Sequence, residues 1–234
     1  RHTRLLRVSW ARDVYKRQGS FMHTISIFVD QNRMPKLASY FKCQTHLAKK
    51  LRNSANFIIR NLRTGLKKAP DTCNANENEV LETVRIGIEM ANEKLLKDVD
   101  RLTKQLQSLP ASDPARTKIQ KRIDNKQKNH PIMPTSDHWM LTYETLDAVM
   151  KNTKNPDYYA MPSQANQQVL RKVLKDWKSH FELLASYRQN PGKFKAQPKQ
   201  PGYIRTPYTT VTFTNQVAKR SDIKGKMHIT FPRC

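Results

Sequence analysis

An uninterrupted amphipathic segment at residues 161–190 restricts the fold of this chain more than any other feature. Ser163 can accept a hydrogen bond from the free N–H groups of a first helical turn. Pro191-Gly192 ends the segment. The apolar residues between these signals recur in steps of three and four, which predicts one long helix with an apolar stripe. The stripe consists of Leu170, Leu174, Trp177, Phe181 and Leu184.

Another face of this predicted helix carries amides near its start and cations further along. A polyanion would suit such a face, since amides at the positive end of a helix can read base edges. The polar outer face of an amphipathic helix is, however, most often only solvated, and both interpretations stay open. The face comprises Gln164, Gln167, Gln168, Arg171, Lys175 and Lys178.

The charge of the chain narrows the class of partner. Lys and Arg number 43 against 19 Asp and Glu in 234 residues, a formal net charge of +24. Self-repulsion of this size favours an anionic partner, and nucleic acid is the first candidate. An acidic membrane surface is the second, but no basic segment has the strongly apolar face that interfacial binding needs. No apolar run approaches the ~18 residues of a membrane span.

The three cysteines are far apart and form no C-x-x-C pair. This spacing favours neither a disulfide framework nor a zinc site, and it predicts a reducing, cytoplasmic location. Residues 1–18 resemble translated read-through of a sequencing adapter and lack the apolar core of a signal peptide. We therefore expect residues 1–20 to be a non-native or disordered leader. Without residues 1–18 the chain still holds 37 basic against 18 acidic residues.

The remaining pattern predicts an α+β, mostly helical chain. Alternation at Thr24 to Val29 predicts a first strand within residues 21–35. Residues 36–190 read as helical: a long helix from about 36 to 67, a helical hairpin at 79–129, and a helix that Ser136 could cap. Residues 191–234 read as a basic loop followed by strands at Tyr208–Thr214 and Lys226–Phe231.

Two further basic regions could contact phosphates. A line of polar residues follows the first long helix with the same three-and-four rhythm, and the loop at 191–207 interleaves cations with Phe194, Tyr203 and Tyr208. Such a loop can hold phosphates and stack bases, although an ordinary exposed linker looks similar. The candidate phosphate or RNA contacts are Lys49, Arg52, Arg60, Arg63, Arg171, Lys175, Lys178, Lys193, Lys195 and Arg205.

No catalytic motif is present in the sequence. It lacks G-x-x-x-x-G-K-[ST] and H-E-x-x-H, and its only close Cys/His pair, Cys43 with His46, is better explained as incidental. The acidic residues concentrate in the hairpin, where pairing with lysines explains them better than metal binding. By its own residues the chain is a binding module, with no catalytic residue and no metal or other cofactor expected.

Three segments together resemble the N-terminal half of the TnpB/OrfB family of transposon-encoded RNA-guided nucleases. The first runs from Cys43-Gln44-Thr45-His46 to Ala55. The second and most specific runs from Asp157 through Met161-Pro162-Ser163-Gln164 to Phe181. The third joins Lys193-Phe194-Lys195 with Thr214-Asn215-Gln216.

The resemblance implies a small, here partial, β-barrel wedge domain interrupted by a helical recognition lobe, with the hairpin at 79–129 as an insertion. It also implies a prokaryotic, nucleoid-associated protein that holds a guide RNA and reads a short motif beside its target in double-stranded DNA. The reading residues carried over by position are Ser163, Gln164, Gln167, Thr214 and Asn215. Ser163 stands where a Lys can occur and Met161 replaces the usual Leu, so the motif that is read could differ.

The family's RuvC metal triad and zinc ribbon, which imply Mg and Zn, would follow residue 234. We therefore expect a truncated chain that does not cleave DNA alone. Two alternatives remain: a non-catalytic DNA-binding accessory or regulator of transposition, and a helical interaction protein whose hairpin pairs with another coiled coil. The sequence does not specify an oligomeric state.

Overall fold

The computed structural model describes residues 6–12, 23–29, 32–110, 112–207, 209–213, 218–223 and 226–231. This part of the chain is mostly helical, as predicted, with six α-helices and two separate two-stranded antiparallel sheets. The helices are α1 (Pro35–Gly65), α2 (Ala75–Ser108), α3 (Ala115–Lys128), α4 (Tyr143–Asn152), α5 (Pro156–Tyr159) and α6 (Ser163–Gln189). The strands are β1 (Leu6–Arg12), β2 (His23–Val29), β3 (Lys219–Ile223) and β4 (Lys226–Thr230).

The main hydrophobic core lies where α1, the first half of α2, α4 and α6 meet. Trp177 of α6 is fully buried there, beside Leu51 and Ile59 of α1 and Leu146 of α4. Fully burying one such side chain stabilises a fold by about 1.5–3 kcal/mol. The apolar stripe predicted for α6 therefore faces α1 across this core.

Helix α2 begins at Ala75, ahead of the predicted start at Glu79, because a capping box forms at its first turn. Asn74 Oδ1 accepts from the Glu77 N–H at 2.9 Å, and Glu77 Oε2 accepts from the Asn74 N–H at 2.9 Å. The Glu77 carboxylate also accepts from Lys68 Nζ at 2.7 Å. These bonds, that of Lys68 first, hold the pKa of Glu77 below its ordinary value.

The helical hairpin predicted at 79–129 is present, but its first arm belongs to the body of the protein. Val80, Val84 and Ile88 of α2 lie in the main core. Only the second half of α2 packs against α3, through Leu102 and a separate small cluster. The predicted insertion is therefore continuous with the core helices.

Other predictions of local structure were wrong. Residues 209–213 are not in a strand, although a strand was predicted at Tyr208–Thr214. Ser136 caps no helix; α4 begins later, where Thr142 Oγ1 accepts from the Thr145 N–H at 3.1 Å. Ser163 is the first residue of α6 rather than its cap, since Pro162 occupies the N-cap position.

The sheets also differ from expectation. The strand predicted at Thr24 to Val29 is confirmed as β2, but its partner β1 lies inside the segment expected to be a leader, with Leu6 opposite Val29. The strand predicted at Lys226 is confirmed as β4, which pairs with β3, an unpredicted strand. Within the described residues, each sheet has two strands and no barrel is formed. The partial β-barrel is therefore not observed in this part of the chain.

Candidate nucleic-acid interface

A cleft of about 230 Å³ opens between α1, the first half of α6 and the extended segment 209–212. We call it the basic cleft, because four of its ten lining residues are Lys or Arg. The lining residues are Ala48, Arg52, Gln168, Val169, Arg171, Lys172, Lys175, Thr209, Thr210 and Thr212.

Helix α6 supplies three cations to the basic cleft. Arg171, Lys172 and Lys175 follow one another within little more than one turn, and all three are exposed. Their neighbours Leu170 and Val173 are buried, so packing of the apolar stripe turns the cations outward. Among the described residues, no acidic side chain forms an ion pair with any of the three. Their positive charge is therefore available to an anionic ligand.

Arg171 is held in place by an aromatic ring of α4. Its guanidinium carbon lies 3.9 Å from the centroid of the Tyr143 ring, within the range of a cation–π interaction. Burial raises the pKa of the Tyr143 hydroxyl, and the nearby Asp147 raises it further. The contact restricts the side chain of Arg171 without neutralising its charge.

Arg52 differs from these cations because its charge is compensated. Its NH2 group lies 2.7 Å from Oδ2 of Asp176, and both side chains are partly buried. This ion pair joins α1 to α6 at the wall of the basic cleft. The predicted phosphate contact at Arg52 therefore lies in the cleft, but as part of an internal ion pair.

The third wall of the basic cleft is made of threonines. Thr209, Thr210 and Thr212 line this wall, while Val211 and Phe213 pack against the main core. The alternation that predicted a strand is thus explained by an extended segment with one face on the core. Hydroxyl groups beside cations are common donors to phosphate oxygens.

Before it reaches the basic cleft, the chain crosses α1 as an extended segment that we call the strap, residues 200–205. The side-chain amide of Asn53 makes two hydrogen bonds with the backbone of Ile204. Its Oδ1 accepts from the Ile204 N–H at 2.8 Å, and its Nδ2 donates to the Ile204 carbonyl at 3.2 Å. Arg60 donates to the Pro201 carbonyl at 3.0 Å, and Lys49 to the Arg205 carbonyl at 3.4 Å. The strap therefore runs antiparallel to α1.

The strap is the partner of the cations that were predicted to form a phosphate-binding line on α1. Arg63 donates to Oε1 of Gln200 at 3.5 Å and lies over the rings of Trp139 and Phe181, at 5.4 and 5.1 Å from their centroids. Lys49, Arg60 and Arg63 thus all have partners within the chain. Their contact with phosphate stays a prediction.

The predicted reading residues are only partly described. Ser163 is exposed, and Gln164 and Gln167 are half-buried on the first turns of α6, outside the lining of the basic cleft. Thr214 and Asn215 lie outside the described residues, so the predicted shared reading surface stays a prediction.

The remaining predicted phosphate contacts lie away from the basic cleft. Lys178 is exposed and lies 4.0 Å from Glu182. Lys193, Lys195 and Arg205 are exposed.

Sequence reasoning missed several residues of the site. Lys172 was omitted although it directly follows Arg171. Gln168 was placed on the polar face but not among the reading residues, yet it is the glutamine that lines the basic cleft. The three threonines were read only as strand formers. Their position depends on the path of the strap, which no local pattern reveals.

No protein-family model, curated protein or solved structure matches this chain. Within the described ranges, no three His, Cys, Asp or Glu side chains come together as a metal site would require. None of the helices described here combines the length and the apolar character needed to cross a membrane.

Proposed function

We propose that this chain binds nucleic acid through the basic cleft, which takes phosphate groups of the backbone. The observation that supports this most strongly is the set of three cations on α6 that form no ion pair with the described residues, in a cleft that three threonines also line. Cations and hydroxyls are the groups that hold phosphate oxygens in protein–nucleic acid complexes. Contacts of this kind go to the nucleic-acid backbone and would hold a strand of any sequence.

We further propose that the chain is the N-terminal portion of an RNA-guided DNA endonuclease of the TnpB/OrfB type. In this proposal the helices form the recognition lobe, which holds guide RNA and double-stranded DNA. Ser163, Gln164 and Gln167, with Thr214 and Asn215, would read the motif beside the target. The resemblance of residues 157–181 to that family supports this assignment, and the N-terminal half of α6, which carries it, also forms a wall of the basic cleft. We assign no cleavage step to any residue of this chain.

Titration of the purified protein against labelled nucleic acid at several salt concentrations tests the cleft. Each phosphate contact contributes about 0.9 to the steepness of the plot of log affinity against log salt for duplex DNA, and about 0.7 for a single strand. Replacing both Arg171 and Lys175 with Ala should therefore weaken binding to all sequences and make the slope shallower by about 1.8 for duplex DNA and about 1.4 for single-stranded RNA. The measurement is fluorescence anisotropy with single-stranded RNA and with duplex DNA.

The matched control replaces Lys118 and Lys121 with Ala. Both are exposed on α3, which packs against α2 rather than beside the cleft, so this variant loses the same charge elsewhere. It should keep nearly the original slope. Equal changes in the two double variants would show that the net charge, and not the basic cleft, drives binding.

Purification distinguishes guide-RNA binding from the accessory function. Absorbance at 260 nm that co-purifies with the protein and disappears after RNase treatment would support an RNA platform. Tight, sequence-selective binding of duplex DNA by RNase-treated protein would instead support a DNA-binding accessory or regulator of transposition.

A further inference from the structure

Tyr203, in the middle of the strap, is an exposed aromatic residue on a basic surface. It is 45% exposed, and the guanidinium carbon of Arg60 lies 5.4 Å from the centroid of its ring. The cation covers one face of the ring. Nearly half of the residue surface is accessible to a ligand.

The backbone on both sides of Tyr203 is fixed. Arg60 and Asn56 donate to the Pro201 carbonyl, at 3.0 and 3.3 Å, and Asn53 holds both the N–H and the C=O of Ile204. Asn56 is itself buried and accepts from Trp177 in the core. The backbone that carries the ring is therefore already ordered in the free protein. Binding a ligand there costs less conformational entropy than it would on a flexible loop.

Phe194, in the same loop, is arranged differently. Its ring packs edge to face against Tyr187 of α6, with centroids 5.7 Å apart, and it is half-buried. Of these two rings in the basic loop, only that of Tyr203 is fixed in place and exposed.

The surroundings of Tyr203 attract anions. Helix α1 contains seven Lys or Arg and no Asp or Glu, and residues 191–213 contain four Lys or Arg and no acid. Arg60 and Lys49 donate to neutral carbonyl oxygens of the strap, so those bonds leave their charges uncompensated. An aromatic ring among cations is the usual site for a base of a single-stranded nucleic acid.

We infer that Tyr203 is a stacking site for one base of a single strand, RNA or DNA, whose backbone occupies the basic cleft. This inference rests on the proposed function of that cleft. Arg60 and Arg52 are eight residues apart on α1, or about 12 Å along the helix axis. A stacked strand covers that distance in three to four nucleotides at about 3.4 Å each.

Anisotropy titrations of Tyr203 variants against three labelled oligomers of about 12 nucleotides test the inference. The oligomers are oligo-U, oligo-dT and an abasic DNA strand with the same number of phosphates. Tyr203→Ala should bind oligo-U or oligo-dT about 5- to 150-fold more weakly, because stacking on one aromatic ring contributes that much. Tyr203→Phe keeps the ring and should bind as the wild type does.

The abasic strand separates stacking from a structural effect, since it offers phosphates but no base. Wild type and Tyr203→Ala should bind it equally. If Tyr203→Ala binds the abasic strand as much more weakly as it binds oligo-U and oligo-dT, the substitution disturbs the strap and the inference fails. If Tyr203→Ala binds both oligo-U and oligo-dT as tightly as the wild type does, the inference is also wrong. A loss on oligo-U alone, or on oligo-dT alone, identifies which nucleic acid the site takes.

Failure of the proposed function would look different. If the wild type binds none of the three oligomers and no duplex DNA, the basic cleft is not a nucleic-acid site. If it binds duplex DNA alone, the cleft assignment stands and the stacking site is wrong. If the wild type binds and the Arg171→Ala/Lys175→Ala variant is weakened while Tyr203→Ala is not, the cleft assignment stands and the stacking site alone is wrong.

Discussion

Asn56 connects three parts of the molecule through one side chain. It is 2% exposed on α1, accepts from Nε1 of Trp177 at 2.9 Å, and donates to the Pro201 carbonyl at 3.3 Å. Without that amide, the buried indole N–H of Trp177 would have no acceptor. Asn56 therefore holds α6 in register with α1 and fixes the start of the strap.

Replacing Asn56 with Ala should lower the free energy of unfolding by about 1–3 kcal/mol, the usual cost of leaving a buried donor unsatisfied. Urea unfolding measures this difference. Asn53→Ala is the matched control, because Asn53 also binds the strap but is only half-buried and has no partner in the core. Water can replace its bonds, so its loss should be nearer 0.5–1.5 kcal/mol. Equal losses would mean that the bond to Trp177 contributes nothing.

Individual residues also show where sequence reasoning reaches its limit. The three-and-four spacing correctly placed Arg60 and Arg63 on one face of α1. Their hydrogen-bond partners, however, lie about 140 residues further along the chain. A helical pattern reveals which residues share a face and not what covers that face. The prediction of an exposed phosphate-binding line therefore missed the strap.

At the scale of elements, the close approach of α2 and α4 depends on Gly87. A Cβ atom at this position would lie 2.8 Å from the Cα of Val149, closer than real contacts permit. The Gly87 carbonyl accepts from Nδ2 of Asn152 at 2.9 Å, so the two helices also share a hydrogen bond there. This glycine is required for packing rather than for an unusual backbone conformation.

Replacing Gly87 with Ala should overpack this contact, which costs about 1–3 kcal/mol. Ala gains about 1 kcal/mol over Gly in a helix interior, so the net loss of stability should reach up to about 2 kcal/mol. Gly65→Ala is the control, since a Cβ there would meet side-chain atoms and no backbone: Leu81 Cδ1 at 3.0 Å, Leu81 Cγ at 3.3 Å and Glu77 Cβ at 3.4 Å. The midpoints of urea unfolding compare the two variants. A stabilised Gly87→Ala protein would show that the helices can separate without cost.

Long helices with a regular apolar stripe could be predicted from the sequence. Segments whose conformation depends on contacts with distant parts of the chain could not. Helix α6 ends one residue before the predicted Asn190, and α1 lies within the predicted 36–67 segment apart from its first residue. Both have stripes that match their buried faces. The segment 209–213 alternates like a strand, but its two faces are met by the core and by the basic cleft. The three threonines of the candidate site could not be placed for the same reason.

At the scale of the whole molecule, charge is segregated between the two sides of the core. Helix α1 carries seven basic residues and no acidic ones, while α2 carries five basic and seven acidic residues. The face formed by α1, the strap and α6 is therefore strongly positive, whereas α2 and α3 together carry 11 basic and eight acidic residues. Repulsion within the positive face opposes folding when no polyanion is bound.

Because of this repulsion, the RNase-treated protein should melt at a higher temperature in about 150 mM salt than in about 10 mM salt. The Debye length falls from about 30 Å to about 8 Å over this range, which screens charges across the positive face. Each kcal/mol of repulsion removed should raise Tm by about 2–4 °C for a chain of this size. Thermal unfolding followed by circular dichroism measures the difference.

Two triple variants locate the source of that salt effect. Replacing Arg171, Lys172 and Lys175 with Gln removes three cations that have no acidic partner, so this variant should be more stable in low salt and respond less to added salt. Replacing Lys104, Lys118 and Lys121 with Gln removes the same charge from the hairpin, whose helices α2 and α3 together carry 11 basic and eight acidic residues. That variant should stay closer to the response of the wild type, since the hairpin has a smaller excess of positive charge than the face that forms the basic cleft. An equal response in both triple variants would place the repulsion in the net charge of the chain and not in the face that forms the basic cleft.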